Sequence, residues 1–282
     1  MKNERRLWLK GLAALPLAAA LPARADALER IRQQGRLRVA VYRDFAPYST
    51  TGGKGIDADI ARALAARLGV AADVVAYTAD EDMNDDLRNM VWKGHYLGTQ
   101  PSDVMMHVPV DRKLAEANDK VRIFGAYYRE TLAMARNPAR VPNAPQGSAA
   151  VALEAFTREK IGVETATMAD SFLLSVLNGR LREQVVHFKS VGEAAAAMAA
   201  GRVAAVLAPR GELEAAVAGQ SGVVLDACRL PELPTDGWPL GMAVRVEEDA
   251  LAQALSDALA DLKRDGSLAA IFARYGITYT PA

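Results

Sequence analysis

Strand-like and helix-like segments alternate along this chain, and the alternation begins a second time near its middle. Residues 37–41 form an apolar run with β-branched side chains, and apolar residues then recur every four positions from Ile56 to Leu68, as on one face of a helix. After a proline-containing stretch at residues 137–147, a short strand pattern at residues 160–163 is again followed by a helical pattern. This order predicts an α/β fold with a largely parallel sheet, built as two halves.

Composition and charge narrow the class of partner. The chain has 282 residues, of which 51% are hydrophobic, so two lobes with their own cores are within reach. Lys plus Arg and Asp plus Glu each number 34, which gives a net charge of zero. Proteins that bind nucleic acid concentrate basic charge, so this balance argues against nucleic acid as the main partner.

The first 25 residues have the pattern of a secretory signal peptide. Basic residues up to Lys10 precede an apolar run at residues 12–21, and an A-x-A motif ends at Ala25. The apolar run is too short to span a membrane as a helix, so we expect cleavage near Ala25 and export to the periplasm. Arg5 and Arg6 also fit the twin-arginine pattern, and the choice between the general and the twin-arginine route stays open.

Several motifs follow one another in a familiar order. A strand at residues 37–40 precedes the turn F-A-P-Y at residues 45–48, and a G-x-D-x-D helix pattern begins at Gly55. This order resembles the opening of the family 3 periplasmic solute-binding proteins. The likeness continues with D-V-M-M at residues 103–106, and further on with G-R-V-A-A-V at residues 201–206 and L-K-R-D-G-S-L at residues 262–268.

The resemblance implies a type II periplasmic-binding-protein fold, which is two-lobed with two crossing hinge strands. Lobe one would comprise residues 26–128 plus 242–282, and lobe two residues 129–241. Proteins of this family close around a small molecule and present it to an ABC permease, and we expect a monomer that does the same. The resemblance implies no cofactor, metal or catalytic residue. The sequence also lacks G-x-S-x-G, H-E-x-x-H and phosphate-loop motifs, so we expect that the protein is not an enzyme.

Two departures from the family pattern bear on the ligand. Amino-acid binders of this family carry Thr-x-x-x-Arg after the D-V-I-I strand, and the arginine holds the ligand carboxylate. Here the threonine is missing and Arg112 is the available arginine. The family's acidic residue that binds the ligand amine is replaced by Arg210. We therefore expect a small polar or anionic organic ligand rather than a standard α-amino acid.

The expected ligand-binding set combines aromatic, basic and hydroxyl side chains. The aromatic residues of the turn at 45–48 would stack on a planar group, and plugging the lobe is their structural alternative. Thr167 would offer its hydroxyl and the first free N–H groups of a helix to an anion, or it is simply an N-cap. Each arginine has a solvated surface position as its alternative. The full set is Phe45, Tyr48, His107, Arg112, Tyr127, Thr167 and Arg210.

An insertion at residues 92–102 supports a second functional hypothesis. It contains Trp92, His95 and Tyr96 where the family has a short link, and it resembles a branch associated with quinoprotein (PQQ) alcohol dehydrogenases. In this hypothesis the chain is an accessory or interaction protein of a periplasmic quinoprotein dehydrogenase or cytochrome. A third hypothesis is a periplasmic dehydratase-like enzyme, since relatives of this fold include such enzymes, but no acid–base pair can be assigned from the sequence.

Overall fold

The strands and helices alternate through most of the chain, as the sequence pattern predicts. This computed structural model describes residues 26–282, and the expected signal peptide at residues 1–25 lies outside the described residues. The strands are β1 Arg36–Tyr42, β2 Ala71–Tyr77, β3 Val104–Pro109, β4 Val121–Glu130, β5 Leu132–Arg136, β6 Ile161–Glu164, β7 Val185–Phe188, β8 Ala205–Pro209, β9 Val224–Ala227 and β10 Trp238–Arg245.

Helices occupy most of the connections between these strands. A π-helical turn, Arg88–Trp92, extends the short third helix, and 3₁₀ turns follow the fifth and sixth. The helices are α1 Ala27–Gln34, α2 Ile56–Arg67, α3 Met83–Leu87, α4 Arg112–Ala117, α5 Ala149–Ala152, α6 Met168–Ser175, α7 Val191–Ala199, α8 Arg210–Ala216, α9 Asp249–Arg264 and α10 Ser267–Arg274.

The strands form two five-stranded sheets, each with helices on both faces. The first sheet has the order β2-β1-β3-β10-β4 and lies in lobe one, and the second has the order β7-β6-β8-β5-β9 and lies in lobe two. Strand β1 pairs in parallel with β2 from Arg36↔Ala71 to Tyr42↔Tyr77. Strand β6 pairs in parallel with β7 and β8 in the second sheet. The chain therefore has the two-lobed α/β architecture that the sequence predicts.

Both sheets are mixed, which corrects the expectation of a largely parallel sheet. Strand β10 is antiparallel to both β3 and β4, and strand β5 is antiparallel to both β8 and β9. The cause is the path of the chain between the lobes. Each strand that enters from the other lobe inserts into the sheet opposite in direction to the strands built by strand–helix–strand units.

Two crossings join the lobes, and they differ in length. Strand β4 ends at Glu130 and β5 begins at Leu132, so Thr131 alone separates the two strands. The return crossing runs through residues 228–237 before β10 begins at Trp238, which pairs with Glu130. Neighbouring crossing strands of this kind are the geometry of a hinge between two lobes. The boundaries at residues 128/129 and 241/242 remain predictions.

Each lobe has its own hydrophobic core on both faces of its sheet. In lobe one, α1, α2, α9 and α10 cover one face around Ile31, Ile60, Leu255 and Phe272. The leucine face of α9 packs into this core, since Leu251, Leu255, Leu259 and Leu262 are all buried. In lobe two, separate clusters of buried residues lie on the two faces of the sheet. Among residues 26–282, no helix combines the length and apolar character needed to cross a bilayer.

Candidate functional site

A cavity of about 510 Å³ opens between the lobes where the two sheets face each other. Lobe one contributes the ends of β1, β2 and β3 and the segments that follow them, and lobe two contributes the end of β6 and the start of α8. The crossing strands add Glu130, Trp238 and Leu240. The carboxyl ends of parallel strands are the usual ligand site of open α/β sheets, and two lobes here bring two such ends together.

Aromatic side chains form one wall of the cavity. The ring of Phe45 lies edge-on to Tyr42 with centroids 5.8 Å apart, and edge-on to His107 at 4.8 Å. Tyr48 lies 5.2 Å from Phe45 and 4.4 Å from His107, measured between ring centroids. Backbone hydrogen bonds between Phe45 and Ser49 close the turn that carries these rings. The wall is therefore held in place by its own turn and by edge-to-face packing.

A buried polar network fixes His107 at the cavity wall. Asp57, fully buried at the start of α2, accepts a hydrogen bond of 2.6 Å from the Tyr127 hydroxyl and lies 2.9 Å from His107 Nδ1. The backbone N–H of His107 donates to the Tyr127 hydroxyl at 3.0 Å. Burial and the Asp57 charge raise the pKa of Tyr127, which keeps its hydroxyl protonated as a donor. His107 has a left-handed backbone with φ of 63°, and this network holds it there.

Glu130 connects the two lobes at the hinge. Its carboxylate accepts a hydrogen bond from the Tyr48 hydroxyl of lobe one. It also accepts from the backbone N–H groups of Thr131 at 2.8 Å and Arg210 at 3.1 Å, the latter at the start of α8 in lobe two. Burial raises the pKa of Glu130, and the hydrogen bonds from the Tyr48 hydroxyl and the Thr131 N–H oppose this rise. A Cβ at Gly211 would overlap the Tyr48 hydroxyl oxygen, so glycine allows this close approach of the lobes.

Two further carboxyl groups line the cavity from lobe two. Glu164 ends β6, Glu212 lies in the first turn of α8, and both side chains are half-buried. Burial raises the pKa of Glu212 well above its ordinary range, and the carboxylates of Glu164 and Glu130 raise it further. Burial also raises the pKa of Glu164, and the backbone N–H of Val191 partly offsets this rise. The cleft thus carries groups that favour either a proton or a cationic partner.

Four of the seven residues expected from the sequence lie together at the cleft. Phe45, Tyr48 and His107 line the cavity, and Tyr127 lies directly behind it in the network with Asp57. Their part in binding a ligand stays a prediction. Their positions agree with the expected placement of the F-A-P-Y turn at a strand end.

The other three expected residues do not line this cavity. The Arg112 side chain is 85% exposed and lies 3.8 Å from Glu116, one turn along α4. Arg210 donates from Nε to Glu214 at 2.7 Å, one turn along α8. Thr167 caps α6 by accepting from the backbone N–H of Asp170 at 3.2 Å. Arg112 and Thr167 thus have the structural roles considered as alternatives, whereas Arg210 is half-buried in its ion pair with Glu214 rather than solvated. The cavity lining gives the ligand-binding role of all three no support.

The sequence interpretation missed the acidic residues at and behind the cavity wall. Asp57, Glu130, Glu164 and Glu212 either line the cavity or support its wall. A signal for Glu164 was present, since it follows the strand pattern at residues 160–163 directly and strand ends face the cleft. No sequence signal placed Glu130, because its role depends on three-dimensional contacts with Tyr48 and α8.

No metal site is evident in the part of the chain that the structure describes, since residues 26–282 contain no group of three or more His, Cys, Asp or Glu side chains placed to hold an ion.

Cys228 is buried, and burial raises the pKa of its thiol to about 12. A thiol with that pKa is almost fully protonated at neutral pH and is a weak nucleophile.

The loop from the insertion borders a neighbouring cavity. Tyr77 donates from its hydroxyl to the carbonyl of Gln100 at 2.7 Å, which ties the end of the loop to β2. A cavity of about 380 Å³ lies between the loop and the sheet, and it shares Arg43 and Tyr77 with the main cavity. At the loop tip, Tyr96 and Leu97 are 87% and 74% exposed. The insertion therefore extends the crevice and presents apolar surface beside it.

The raised pKa values of Glu130, Glu164 and Glu212 predict an unusual pH dependence of stability. A carboxyl whose pKa is higher in the folded than in the unfolded state stabilises the fold fully below the unfolded pKa of ~4.3, and this stabilisation is lost as pH rises through the folded pKa. We therefore expect the ligand-free protein to melt at a higher temperature near pH 5 than near pH 8, measured by calorimetry. Glu212→Gln should flatten this dependence. A melting temperature that falls steadily between pH 8 and pH 5 in the unmodified chain would contradict the expectation.

Comparisons with known proteins agree on the fold. No protein-family model and no curated protein matches the sequence. Among solved structures, an ancestral cationic amino acid solute-binding protein, AncCDT-1, aligns with a TM-score of 0.68 and 22% identity, over 88% of this chain and 99% of that one. A second AncCDT-1 structure, described as a precursor of cyclohexadienyl dehydratase, has a TM-score of 0.60 and 20% identity, with 89% and 99% covered.

An amino acid ABC transporter substrate-binding protein from Streptococcus pneumoniae, bound to L-arginine, aligns with a TM-score of 0.63 and 21% identity over 91% of this chain and 100% of that one. These likenesses extend over nearly the full length of the compared chains. At this level of identity they establish the fold alone. The fold is the two-lobed one of periplasmic solute-binding proteins, which confirms the expectation from the sequence motifs.

Proposed function

We propose that this chain is an exported, non-catalytic solute-binding protein that closes around a small organic ligand other than a standard α-amino acid. The observation that carries this proposal is the cavity of about 510 Å³ between the lobes, which is lined from both lobes by aromatic rings and a few polar groups. Small-molecule sites have this size and this composition. A ligand there touches both lobes and therefore favours the closed arrangement.

The hinge supports the same proposal. The single-residue crossing at Thr131 lies beside the contacts that Glu130 makes with Tyr48 of lobe one and with the start of α8 in lobe two. A hinge at this place would let one lobe rotate on the other. The family resemblance and the signal-peptide pattern add the expected periplasmic location, a monomeric state and delivery to an ABC permease.

Melting measurements on a panel of small metabolites of mixed charge test the proposal. A ligand at about 100 times its dissociation constant should stabilise the protein by about 2.7 kcal/mol. Phe45→Ala should remove most of this effect because Phe45 lines the cavity, whereas Tyr96→Ala should preserve it because Tyr96 lies on the exposed loop tip. Absence of a stoichiometric shift with any class of metabolite would contradict a solute-binding function.

The second candidate is an accessory protein of a periplasmic quinoprotein alcohol dehydrogenase or its cytochrome. The exposed Tyr96 and Leu97 favour it, because contiguous exposed apolar side chains are typical of protein interfaces. Co-purification with a quinoprotein, lost on changing Tyr96 and Leu97 to serine, would support this candidate. An unchanged complex in that variant would remove the loop tip from the interface.

The third candidate, a dehydratase-like enzyme, gains one observation from the structure. Half-buried carboxyl groups with raised pKa lie in the same cavity as His107, and such groups are suited to proton transfer. The non-catalytic proposal predicts no turnover of a bound ligand. Turnover that disappears in Glu212→Gln would overturn it in favour of the enzyme.

A further inference from the structure

Glu164 and Glu212 form a pair of carboxyl groups that projects into the crevice between the lobes. Both line the main cavity of about 510 Å³, and both also line a second cavity of about 420 Å³ on the side of α7. The pair therefore stands between two neighbouring spaces. A ligand that occupies either space meets these two side chains.

Neither Glu164 nor Glu212 has a cationic partner in the described part of the chain, and Glu212, unlike Asp57 and Glu130, also has no hydrogen-bond donor there. Asp57 forms hydrogen bonds with Tyr127 and His107, and Glu130 accepts hydrogen bonds from Tyr48 and from backbone N–H groups. Burial raises the pKa of Glu212, and no hydrogen bond or basic group lowers it again. The charged neighbours of Glu212 are themselves carboxylates. Two half-buried carboxylates without a counter-charge are costly to keep ionised.

The basic side chains near the crevice do not supply a counter-charge to Glu164 and Glu212. Arg43 lines the main cavity from lobe one, where its side chain is exposed and its guanidinium lies 3.5 Å from the carbonyl oxygen of Ala76. Lys189 lines only the second cavity. Neither forms an ion pair with Glu164 or Glu212 among residues 26–282. The charge facing the cavity from lobe two is thus acidic.

Aromatic rings line the same space. Tyr42, Phe45 and Trp238 line the cavity together with the two carboxyl groups. The faces of aromatic rings attract cations, and the attraction grows when water is excluded. Carboxylates beside aromatic rings suit a protonated amine or a guanidinium on an apolar body, whereas they repel an organic anion.

We propose that the cleft selects an organic cation, and that Glu164 and Glu212 are the carboxylates that hold its ammonium or guanidinium group. This inference rests on the proposed solute-binding function and names the class of its ligand. It replaces the anionic ligand expected from Arg112, Thr167 and Arg210, since those side chains do not line the cavity. A carboxylate on the ligand is not required.

Titration calorimetry with matched probes tests the inference. The probes 2-phenylethylamine, 2-phenylethanol and 3-phenylpropionate share an apolar body and differ in charge, and agmatine adds a guanidinium. We expect the amine or agmatine to bind about tenfold tighter than the alcohol, and the carboxylate probe to bind weakest. Glu212→Gln and Glu164→Gln should each lower the affinity for the cation by about tenfold. The exposed Glu116→Gln serves as the control and should bind normally.

Proton release gives a second readout that a merely structural role would not change. A bound cation favours ionised carboxylates, so binding should release protons, detected as a heat that depends on the ionisation enthalpy of the buffer. The release should shrink in Glu212→Gln. Equal heats in all buffers would overturn the assignment of these carboxyl groups as the cation site.

The outcomes separate this inference from the proposed function. If anionic or neutral probes, or other members of the metabolite panel, bind while both cations fail, the cation inference falls and the solute-binding function stands. If no small molecule of any charge binds, the solute-binding function falls and the inference falls with it. Cation binding that is unchanged in both glutamine variants would also overturn the inference.

Discussion

Replacing Asp57 with alanine is expected to lower the free energy of unfolding by about 3–5 kcal/mol, measured by urea denaturation. The Asp57 carboxylate is fully buried and accepts a hydrogen bond of 2.6 Å from the Tyr127 hydroxyl, and His107 Nδ1 lies 2.9 Å from it. Its removal leaves a buried hydroxyl and a buried imidazole without their acceptor, and each unsatisfied group costs about 1–3 kcal/mol. The loss also releases the left-handed backbone of His107 at the cavity wall.

Two companion variants make this expectation specific. Asp57→Asn retains the size of the side chain and one acceptor oxygen, so its loss should be smaller. Asp119→Ala removes a carboxylate from a side chain that is 82% exposed, and it should change stability by less than about 0.5 kcal/mol. A cost for Asp57→Ala as small as that for Asp119→Ala would show that the network does not stabilise the fold.

The second large effect is expected at Gly211, where the lobes approach each other. Valine there would overlap the Tyr48 hydroxyl, and its Cβ would lie 3.1 Å from Tyr48 Cζ and 3.2 Å from Glu130 Oε2. Tyr48 is 1% exposed, so its ring has little room to move. We expect Gly211→Val to lower the unfolding free energy by about 3 kcal/mol, because overpacking at a closed contact forces neighbouring groups apart.

The same change should also alter the shape of the molecule. Because the overlap lies between Tyr48 of lobe one and α8 of lobe two, relief of the overlap should open the cleft, and X-ray scattering should report a larger radius of gyration. Gly52→Val is the control, since a Cβ at Gly52 meets no atom closer than 4.0 Å. An unaltered radius and melting temperature in Gly211→Val would show that the contact at Gly211 is not tight in solution.

Much of the fold could be predicted from the sequence because its signals are local. The run at residues 37–41 reports a buried strand, and the four-residue spacing through α2 and the leucines of α9 report burial of one helix face; each corresponds to an element of the structure. Strand direction is not a local property. The antiparallel placement of β10 and β5 depends on where the chain re-enters each sheet, so periodicity could not predict it.

The candidate site was predicted less well, and the arginines show why. Their assignment came from their place in an order of motifs, which fixes a position along the chain but not the direction of a side chain. Each arginine has a glutamate four residues later, Glu116 after Arg112 and Glu214 after Arg210, and this spacing is typical of an ion pair along a helix. That local signal is sufficient to predict the observed ion pairs.

The acidic character of the cleft had a different reason for being missed. Glu164 and Glu212 are 48 positions apart, one at the end of β6 and the other in the helix after β8, and only the parallel pairing of β6 with β8 brings them together. Composition does not predict an acidic cleft either, since the whole chain has a net charge of zero. The electrostatics of a cleft depend on a few side chains, whereas net charge is a sum over the whole surface.

The position of β10 between β3 and β4 has a consequence for how the chain folds as it leaves the ribosome. All five strands of the second sheet lie within residues 132–227, whereas the first sheet has a gap beside β3 until residue 245 has been made. Because translation proceeds from the N-terminus, lobe two possesses a complete sheet first. The earliest autonomous unit in the nascent polypeptide is therefore expected to be its middle, and the N-terminal strands must wait for the returning segment before their sheet can close.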